Sequence, residues 1–207
     1  MANFKMKGHT VLTQSGTDAP TWGTGVPAGM PIQIVTNHIR TLHTYTDIQD
    51  IDSYPNNPEN WTATAVTGSI TPHFSNSRIL VEMFSSWGCT TGANHVSQAV
   101  KRQVSGSSAV SLERTTGTTV PGSTGIMGAQ LIETHMNSHG QYQLWPSIVA
   151  VEDTPNSNGL SVTYTLMVGG YNNNIDLFLN RTEAHRNSAD GYDPVATSTV
   201  KLTEISV

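Results

Sequence analysis

The sequence predicts an all-β protein: an antiparallel β-sandwich, wired as a jelly roll, that follows an extended N-terminal arm. Short runs of alternating apolar and polar residues recur along the chain, and turn residues separate them. Serine and threonine make up 48 of the 207 residues, whereas charged residues account for only 12%. A surface so poor in charge is tolerated best where other proteins cover it, so this composition favours a component of an assembly.

The stretch 68–84 predicts the end of one strand, a turn, and most of a second strand. Pro72 has no backbone N–H, so pairing of the first strand, residues 63–71, stops there. The second strand, residues 78–87, carries apolar residues on both faces: Ile79, Val81 and Met83 on one, and Leu80 and Phe84 beside Glu82 on the other. Such strands are usually covered twice, so we expect the opposite sheet on one side and a neighbouring subunit on the other.

The other strands are predicted from the same alternation. Residues 161–168 show it most clearly, because Val162, Tyr164, Leu166 and Val168 share one face. The remaining predicted strands are residues 30–46, 96–104, 109–114, 126–134, 143–151, 175–180 and 198–207. Pro146 places strand 143–151 at a sheet edge or at a bulge, since proline cannot donate to a ladder.

Residues 1–29 are predicted to be the extended attachment arm, and residues 30–207 the sandwich domain. The stretch 14–31 holds three prolines and four glycines and lacks the period of a strand or a helix. Apolar residues in such an arm are suited to docking on a partner protein, and four are candidates: Phe4, Val11, Leu12 and Trp22. The alternative is that Trp22 packs back on its own domain.

Charge and hydropathy exclude several classes of function. The net charge is −5, and the only adjacent cations are Lys101 and Arg102, so no nucleic-acid-binding face is expected. No apolar run is long enough to span a membrane, and the N-terminal residues lack the apolar core of a signal peptide. Cys89 is the single cysteine, which predicts no disulfide framework and synthesis in a reducing cytoplasm.

The histidines and the cysteine suggest two kinds of chemical site. His135 and His139 have the spacing of a zinc-binding helix, but the glutamate of that motif is missing. We expect loop histidines there, with an ion held on a threefold axis as the alternative. Cys89 lies near His73 and His95 in sequence, yet nothing indicates a lowered thiol pKa, so an inert thiol is expected.

Carboxylates and aromatic loops suggest action on sugars. Glu133, Glu152 and Asp153 could form the acid pair of a glycan hydrolase, but surface carboxylates are common and no enzyme is predicted. Five other residues are candidates for glycan contact, because they offer stacking faces or paired donors and acceptors: Trp61, Tyr171, Asn172, Asn173 and Tyr192. The alternative is that the asparagines simply form turns. No cofactor and no metal ion are predicted.

Four motifs carry a resemblance to a known family. In chain order they are SITPHFSNSRILVEM, EDTP before VTYTL, LNR, and the closing STVKLTEI. They resemble the recurrent SITPxxxxSKILV signature and the later DTP, TYKL, INR and STITLMEI segments of a β-sandwich domain in tailed bacteriophages. That domain occurs in tail fibres and other virion proteins, especially of marine and cyanobacterial phages. The resemblance covers about residues 40–207, with Arg78 in place of the usual lysine and a Gly-, Ser- and Thr-rich middle that has no counterpart.

The resemblance implies a non-enzymatic structural protein of a phage virion, made in the host cytoplasm. We expect a homotrimer whose arm binds another virion protein. One role is a short tail or baseplate fibre that contacts a host-surface glycan, and the alternative is a capsid decoration (cement) or head-fibre protein. From other classes, a carbohydrate-binding module and then a glycan hydrolase are the competing hypotheses.

Overall fold

The computed structural model describes residues 2–6, 9–15, 21–23, 26–48, 61–90, 95–112, 130–133, 142–157, 159–170, 176–184 and 194–207. The elements that these residues form are all β-strands, which confirms the predicted class. In chain order they are β1 (Ala2–Met6), β2 (His9–Gln14), β3 (Thr21–Trp22), β4 (Pro31–Ile39), β5 (His43–Tyr45), β6 (Thr62–Ile70), β7 (Arg78–Cys89), β8 (His95–Val104), β9 (Val110–Leu112), β10 (Gln130–Glu133), β11 (Trp145–Asp153), β12 (Val162–Gly170), β13 (Leu177–Leu179) and β14 (Ser198–Ile205).

Two antiparallel sheets form the sandwich. The first sheet contains β4, β14, β7, β13 and β5 in that order, and β11 also pairs with β7. Because β14 and β11 pair with the same stretch of β7, they lie on its opposite edges. The second sheet has the order β10-β8-β12-β6, and β9 pairs with β8.

The strand order is that of a jelly roll. When the eight strands β4, β6, β7, β8, β10, β11, β12 and β14 are numbered in chain order, the first sheet runs 1-8-3-6 and the second 2-7-4-5. The first of these eight strands, β4, therefore pairs with the last, β14, and the second, β6, pairs with the seventh, β12. The structure therefore confirms the predicted β-sandwich and its jelly-roll strand order.

The core lies between the two sheets, and the predicted facing of the central strands is confirmed. On β7, Ile79, Val81 and Met83 are fully buried, whereas Phe84 on the other face is 39% exposed. On β12, the four alternating residues from Val162 to Val168 are fully buried as well. Pro146 lies in β11, which pairs only with β7 among the described strands, so the predicted edge position is also confirmed.

The first sheet contains a break that the sequence pattern did not indicate. Residues 30–46 were expected to form one strand, but β4 ends at Ile39 and β5 begins at His43. Asn180 lies beside this break in the left-handed conformation, with φ of 63°. Its amide nitrogen donates to the carbonyl oxygens of Ile39 (2.7 Å) and Thr41 (3.1 Å), so the interruption is held by a buried side chain.

Candidate functional site

The N-terminal arm folds as a sheet of its own. Strands β1, β2 and β3 pair with one another in antiparallel order and join neither sheet of the sandwich. The glycine- and proline-rich sequence predicted an extended segment without paired strands. Backbone pairing needs no side-chain periodicity, so the arm forms strands that alternation did not reveal.

An apolar row crosses one face of this arm sheet. Phe4 pairs directly with Leu12, and Leu12 pairs directly with Trp22. Residues directly opposite each other on neighbouring antiparallel strands share a face, so the three side chains lie side by side. Phe4 is 54% exposed, and Leu12 and Trp22 are half-buried. The structure thus brings together three of the four residues that the sequence selected for docking; we call them the arm row.

Val11 does not belong to the arm row, which corrects its selection as a docking residue. Only 1% of its surface is exposed. The register of β1 against β2 shifts between Phe4 and Lys5, so Val11 is the extra residue of a β-bulge. Its carbonyl oxygen accepts a hydrogen bond from the backbone N–H of Gly23 at 2.7 Å. Val11 therefore stabilises the arm sheet and is not available to a partner.

The root of the arm is fixed to the end of the last strand. The backbone N–H of Gly29 donates to the carbonyl oxygen of Ser206 (2.8 Å), and the N–H of Ser206 donates to that of Met30 (3.0 Å). The Ser206 hydroxyl adds a bond to the carbonyl oxygen of Pro27. The arm sheet is therefore connected to the sandwich at a defined point beside the end of β14.

A buried carboxylate organises the turn after β6. Glu204 on β14 is fully buried and accepts hydrogen bonds at both oxygens. Oε1 accepts from the Ser77 hydroxyl (2.6 Å) and from the backbone N–H groups of His73 (2.7 Å) and Phe74 (3.3 Å). Oε2 accepts from Gln33 Nε2 (2.8 Å) and lies 3.0 Å from His73 Nδ1. The turn 72–77 is thus held onto the first sheet by one side chain.

The hydrogen bonds decide the ionisation of Glu204. Burial alone raises the pKa of this carboxyl, because the charged form loses its hydration. Hydrogen bonds from Ser77, His73 and Gln33 outweigh burial and leave the pKa below its ordinary value of 4.5. Glu204 is therefore an ionised anchor with its oxygens occupied, which is unlike a catalytic acid that must hold or release a proton.

A second buried carboxylate ties the two sheets together. Asp153 on β11 accepts a hydrogen bond from the Tyr164 hydroxyl of β12 (2.9 Å) and an ion-paired one from Arg102 of β8 (2.7 Å). Burial and the charge of Asp153 raise the pKa of Tyr164 far above its ordinary value, so its hydroxyl remains a donor. The three side chains hold β11 of the first sheet against β8 and β12 of the second.

A third tie lies next to the break in the first sheet. Asn180 is fully buried, and its Oδ1 accepts a hydrogen bond from the Ser198 hydroxyl at 2.7 Å. The Asn180 side chain thus bonds to Ile39 and Thr41 through its nitrogen and to Ser198 through its oxygen. These contacts fix the position at which the chain leaves β13 and the position at which β14 begins.

The three ties connect four sequence motifs: SITPHFSNSRILVEM, EDTP before VTYTL, LNR and STVKLTEI. Glu204 of STVKLTEI holds the turn of SITPHFSNS, Asp153 of EDTP bonds Tyr164 of VTYTL, and Asn180 of LNR bonds Ser198 of STVKLTEI. Sequence reasoning missed these partnerships. A weak signal existed for Glu204, because it shares the inward face of β14 with Val200 and Leu202. The motifs are thus explained by packing and hydrogen bonding within the fold.

Most of the residues selected for sugar contact lie outside the described ranges. Tyr171, Asn172, Asn173 and Tyr192 are among them, so their selection stays a prediction. Trp61 is described and only 3% exposed, and it clusters with Ala99 and Met167 on the outer side of the second sheet. Its ring offers no stacking face to a sugar, which corrects that selection.

The candidate catalytic groups whose side chains the structure describes are not brought together. Cys89 is buried within the main core cluster. Glu152 and Asp153 point to opposite faces of β11, and Glu152 pairs at the surface with Arg78 (3.0 Å). The side chain of Glu133 and residues His135 and His139 lie outside the described part of the chain.

The described residues contain neither a metal-binding cluster nor a membrane-spanning helix. Within the ranges given above, no group of three or more potential ligands is placed to hold a metal ion. Among the same residues, no helix has the length and hydropathy to cross a membrane.

The sequence was also compared with known proteins. No family model matches it, and no curated protein matches it either.

Proposed function

We propose that this chain is a non-enzymatic structural protein of a tailed-bacteriophage particle. In this proposal the sandwich domains form a homotrimer, and the arm attaches the trimer to another particle protein. The role favoured is a short tail or baseplate fibre. A capsid decoration or head-fibre role is the alternative within the same class, and the experiment below separates the two ways of attachment.

The observation that carries the proposal is the construction of the arm. The arm sheet is separate from the sandwich sheets, its root is fixed by Ser206, and it presents Phe4 at 54% exposure in an apolar row. A small sheet depends on its apolar face for stability, and in the arm sheet Phe4 leaves that face in contact with water. Such a sheet gains stability when a partner covers the face, as expected of an attachment device.

The assignment to a phage particle rests on the resemblance of the sandwich motifs to a domain of tailed-phage virion proteins. These motifs build the turn at Glu204 and the tie at Asp153, so they account for the fold and leave the surface free to differ. Attachment then depends on a segment outside the sandwich, which agrees with an arm that lies before the region of resemblance, about residues 40–207.

Removing residues 1–25 should leave a folded trimer that no longer joins particles. This deletion takes away all three arm strands but keeps residues 26–30, whose hydrogen bonds to Ser206 hold the end of β14. Circular dichroism and native mass spectrometry would measure fold and assembly. Incorporation would be measured with particles of the phage, or of a related phage, that lack the natural protein.

A point variant tests the arm row without removing the arm. Phe4→Glu should abolish incorporation, because a carboxylate on the apolar row opposes burial against a partner. Asn3→Glu is the matched control, since Asn3 is exposed on the opposite face of β1 and the variant adds the same charge.

If the deletion variant joins particles at the normal level, the sandwich itself carries the attachment surface and a decoration role replaces the fibre role.

A further inference from the structure

The outward side of the first sheet carries uncovered apolar side chains. Ile148 of β11 pairs directly with Phe84 of β7, so the two lie side by side. Ile148 is 53% exposed and Phe84 39% exposed. Ala150 continues the exposed surface along β11, and Ile34 of β4 on the same side is 57% exposed. We call the outward residues of β4, β14, β7 and β11 the outer face, and Phe84 with Ile148 the bare pair.

Two other outward apolar residues of the described strands, Phe178 and Met167, are covered by the protein itself. The guanidinium of Arg181 lies over the Phe178 ring at 4.4 Å, and Phe178 is only 7% exposed. On the second sheet, Trp61 covers Met167 and Ala99. The bare pair has received no such cover, so this surface is suited to contact with another molecule.

The outward side of the second sheet has a different character. Its central positions carry hydroxyl groups that hydrogen-bond to one another, at 3.1 Å between Thr67 and Thr165 and at 2.8 Å between Ser69 and Thr163. These groups are satisfied within the sheet and offer little apolar area. Among the residues whose side chains the structure describes, the two outward surfaces therefore differ: the first combines exposed apolar area with ion pairs, and the centre of the second carries hydroxyl groups.

The charges on the outer face favour a second copy of this chain as its partner. Lys201 pairs with Glu82 at 2.8 Å, and Arg78 pairs with Glu152 at 3.0 Å. Two cations and two anions leave the outer face neutral, although the whole chain carries a net charge of −5. Two copies repel each other least where this neutral surface meets, and paired charges of both signs can be shared across the contact. A strongly cationic or anionic partner would find no complementary field there.

We propose that the outer face of the first sheet is the contact between copies of this chain, with the bare pairs of the three copies meeting around the threefold axis of the trimer. This inference rests on the proposed homotrimer and names the surface that forms it. Burial of Phe84 and Ile148 would supply the apolar centre of the contact, and the two ion pairs would lie at its polar rim.

Introducing like charges into the bare pair tests the proposal. In the full-length chain, Phe84→Glu with Ile148→Glu should convert the trimer to monomers at micromolar concentration, as measured by native mass spectrometry and light scattering. The matched control is Ala63→Glu with Ser69→Glu, which places the same two charges on exposed positions of the second sheet. The control should remain trimeric, and circular dichroism should show that both variants keep their strands.

Mixing two variants provides a positive test that a folding defect cannot imitate. Copies with Phe84→Lys and Ile148→Lys should also be monomeric alone, since like charges would meet. When these copies are mixed with the glutamate variant, opposite charges meet and mixed oligomers should appear. Such restoration is expected only if the same face of two copies comes together.

Three results would overturn the inference: a monomeric natural chain, a trimeric glutamate variant, or no association on mixing. A trimer that survives both glutamates would form through another surface. That result would leave the proposed particle role intact, because attachment is measured separately through the arm.

Discussion

Replacing Glu204 by alanine should lower the free energy of unfolding by about 3–5 kcal/mol, the range for removing one member of a buried, charge-assisted network. The substitution leaves the Ser77 hydroxyl, the backbone N–H of His73 and the Gln33 amide without their acceptor. The turn 72–77 should also loosen, because these bonds hold it to β14. Denaturant unfolding followed by circular dichroism would measure the loss.

Acid titration separates the contribution of the Glu204 charge to stability from the contribution of its side-chain shape. The pKa of Glu204 is depressed in the folded chain, so its stabilisation is fully present above the unfolded value near 4.5 and is lost as the pH falls through the lower folded value. Below pH 4.5 the natural protein should therefore lose stability more steeply than Glu204→Gln, which keeps the side-chain shape but cannot ionise. Equal slopes for the two proteins would show that the carboxylate is not held in its charged form.

Leu166→Ala should cost about 2–5 kcal/mol of unfolding free energy, the range for a buried leucine truncated in a well-packed core. Leu166 lies on β12 and is fully buried between the two sheets. The loss combines the transfer free energy of the removed methyl groups with the cavity that remains. The midpoint of denaturant unfolding would report it.

The neighbouring residue supplies the control for this experiment. Thr165 lies on the outward side of β12, half-buried, where its hydroxyl bonds to Thr67. Thr165→Ala removes a surface hydrogen bond and should cost about 1 kcal/mol. If the two alanine variants unfold at the same midpoint, the facing of β12 is wrong, since a slip of one residue exchanges the two sides of a strand.

Alternation along the chain predicted most strands of the sandwich and the inward faces of its central strands. Side chains of a strand point to alternate sides, so a local pattern such as Val162, Tyr164 and Leu166 identifies both the element and its buried face. The same reasoning placed Ile79 and Val81 in the core, and the missing backbone N–H of Pro146 placed that residue at an edge. Turn residues between the runs then favoured a sandwich of short strands.

Local patterns did not predict contacts between distant residues. The donors to Glu204 come from Gln33 and from residues 73–77, which meet the carboxylate only when β14 pairs with β4 and the turn after β6 folds over it. Asp153 and Tyr164 lie in different sheets, so their bond depends on how the sheets pack. The strands of the arm, which lacks alternation, are likewise visible only in their pairing.

The sequence by itself determined the all-β class and the inward faces of strands such as 78–87 and 161–168, because both follow from a period of two along the chain. The jelly-roll wiring was a prediction that the pairing of the strands confirmed. The tertiary structure decided which polar residues became buried anchors and which apolar residues stayed uncovered. Trp61 looked like a surface aromatic until the packing of β8 and β12 placed Ala99 and Met167 beneath it. Ile148 and Phe84 became one exposed pair only through the register of β11 on β7, and register is a property of two strands together.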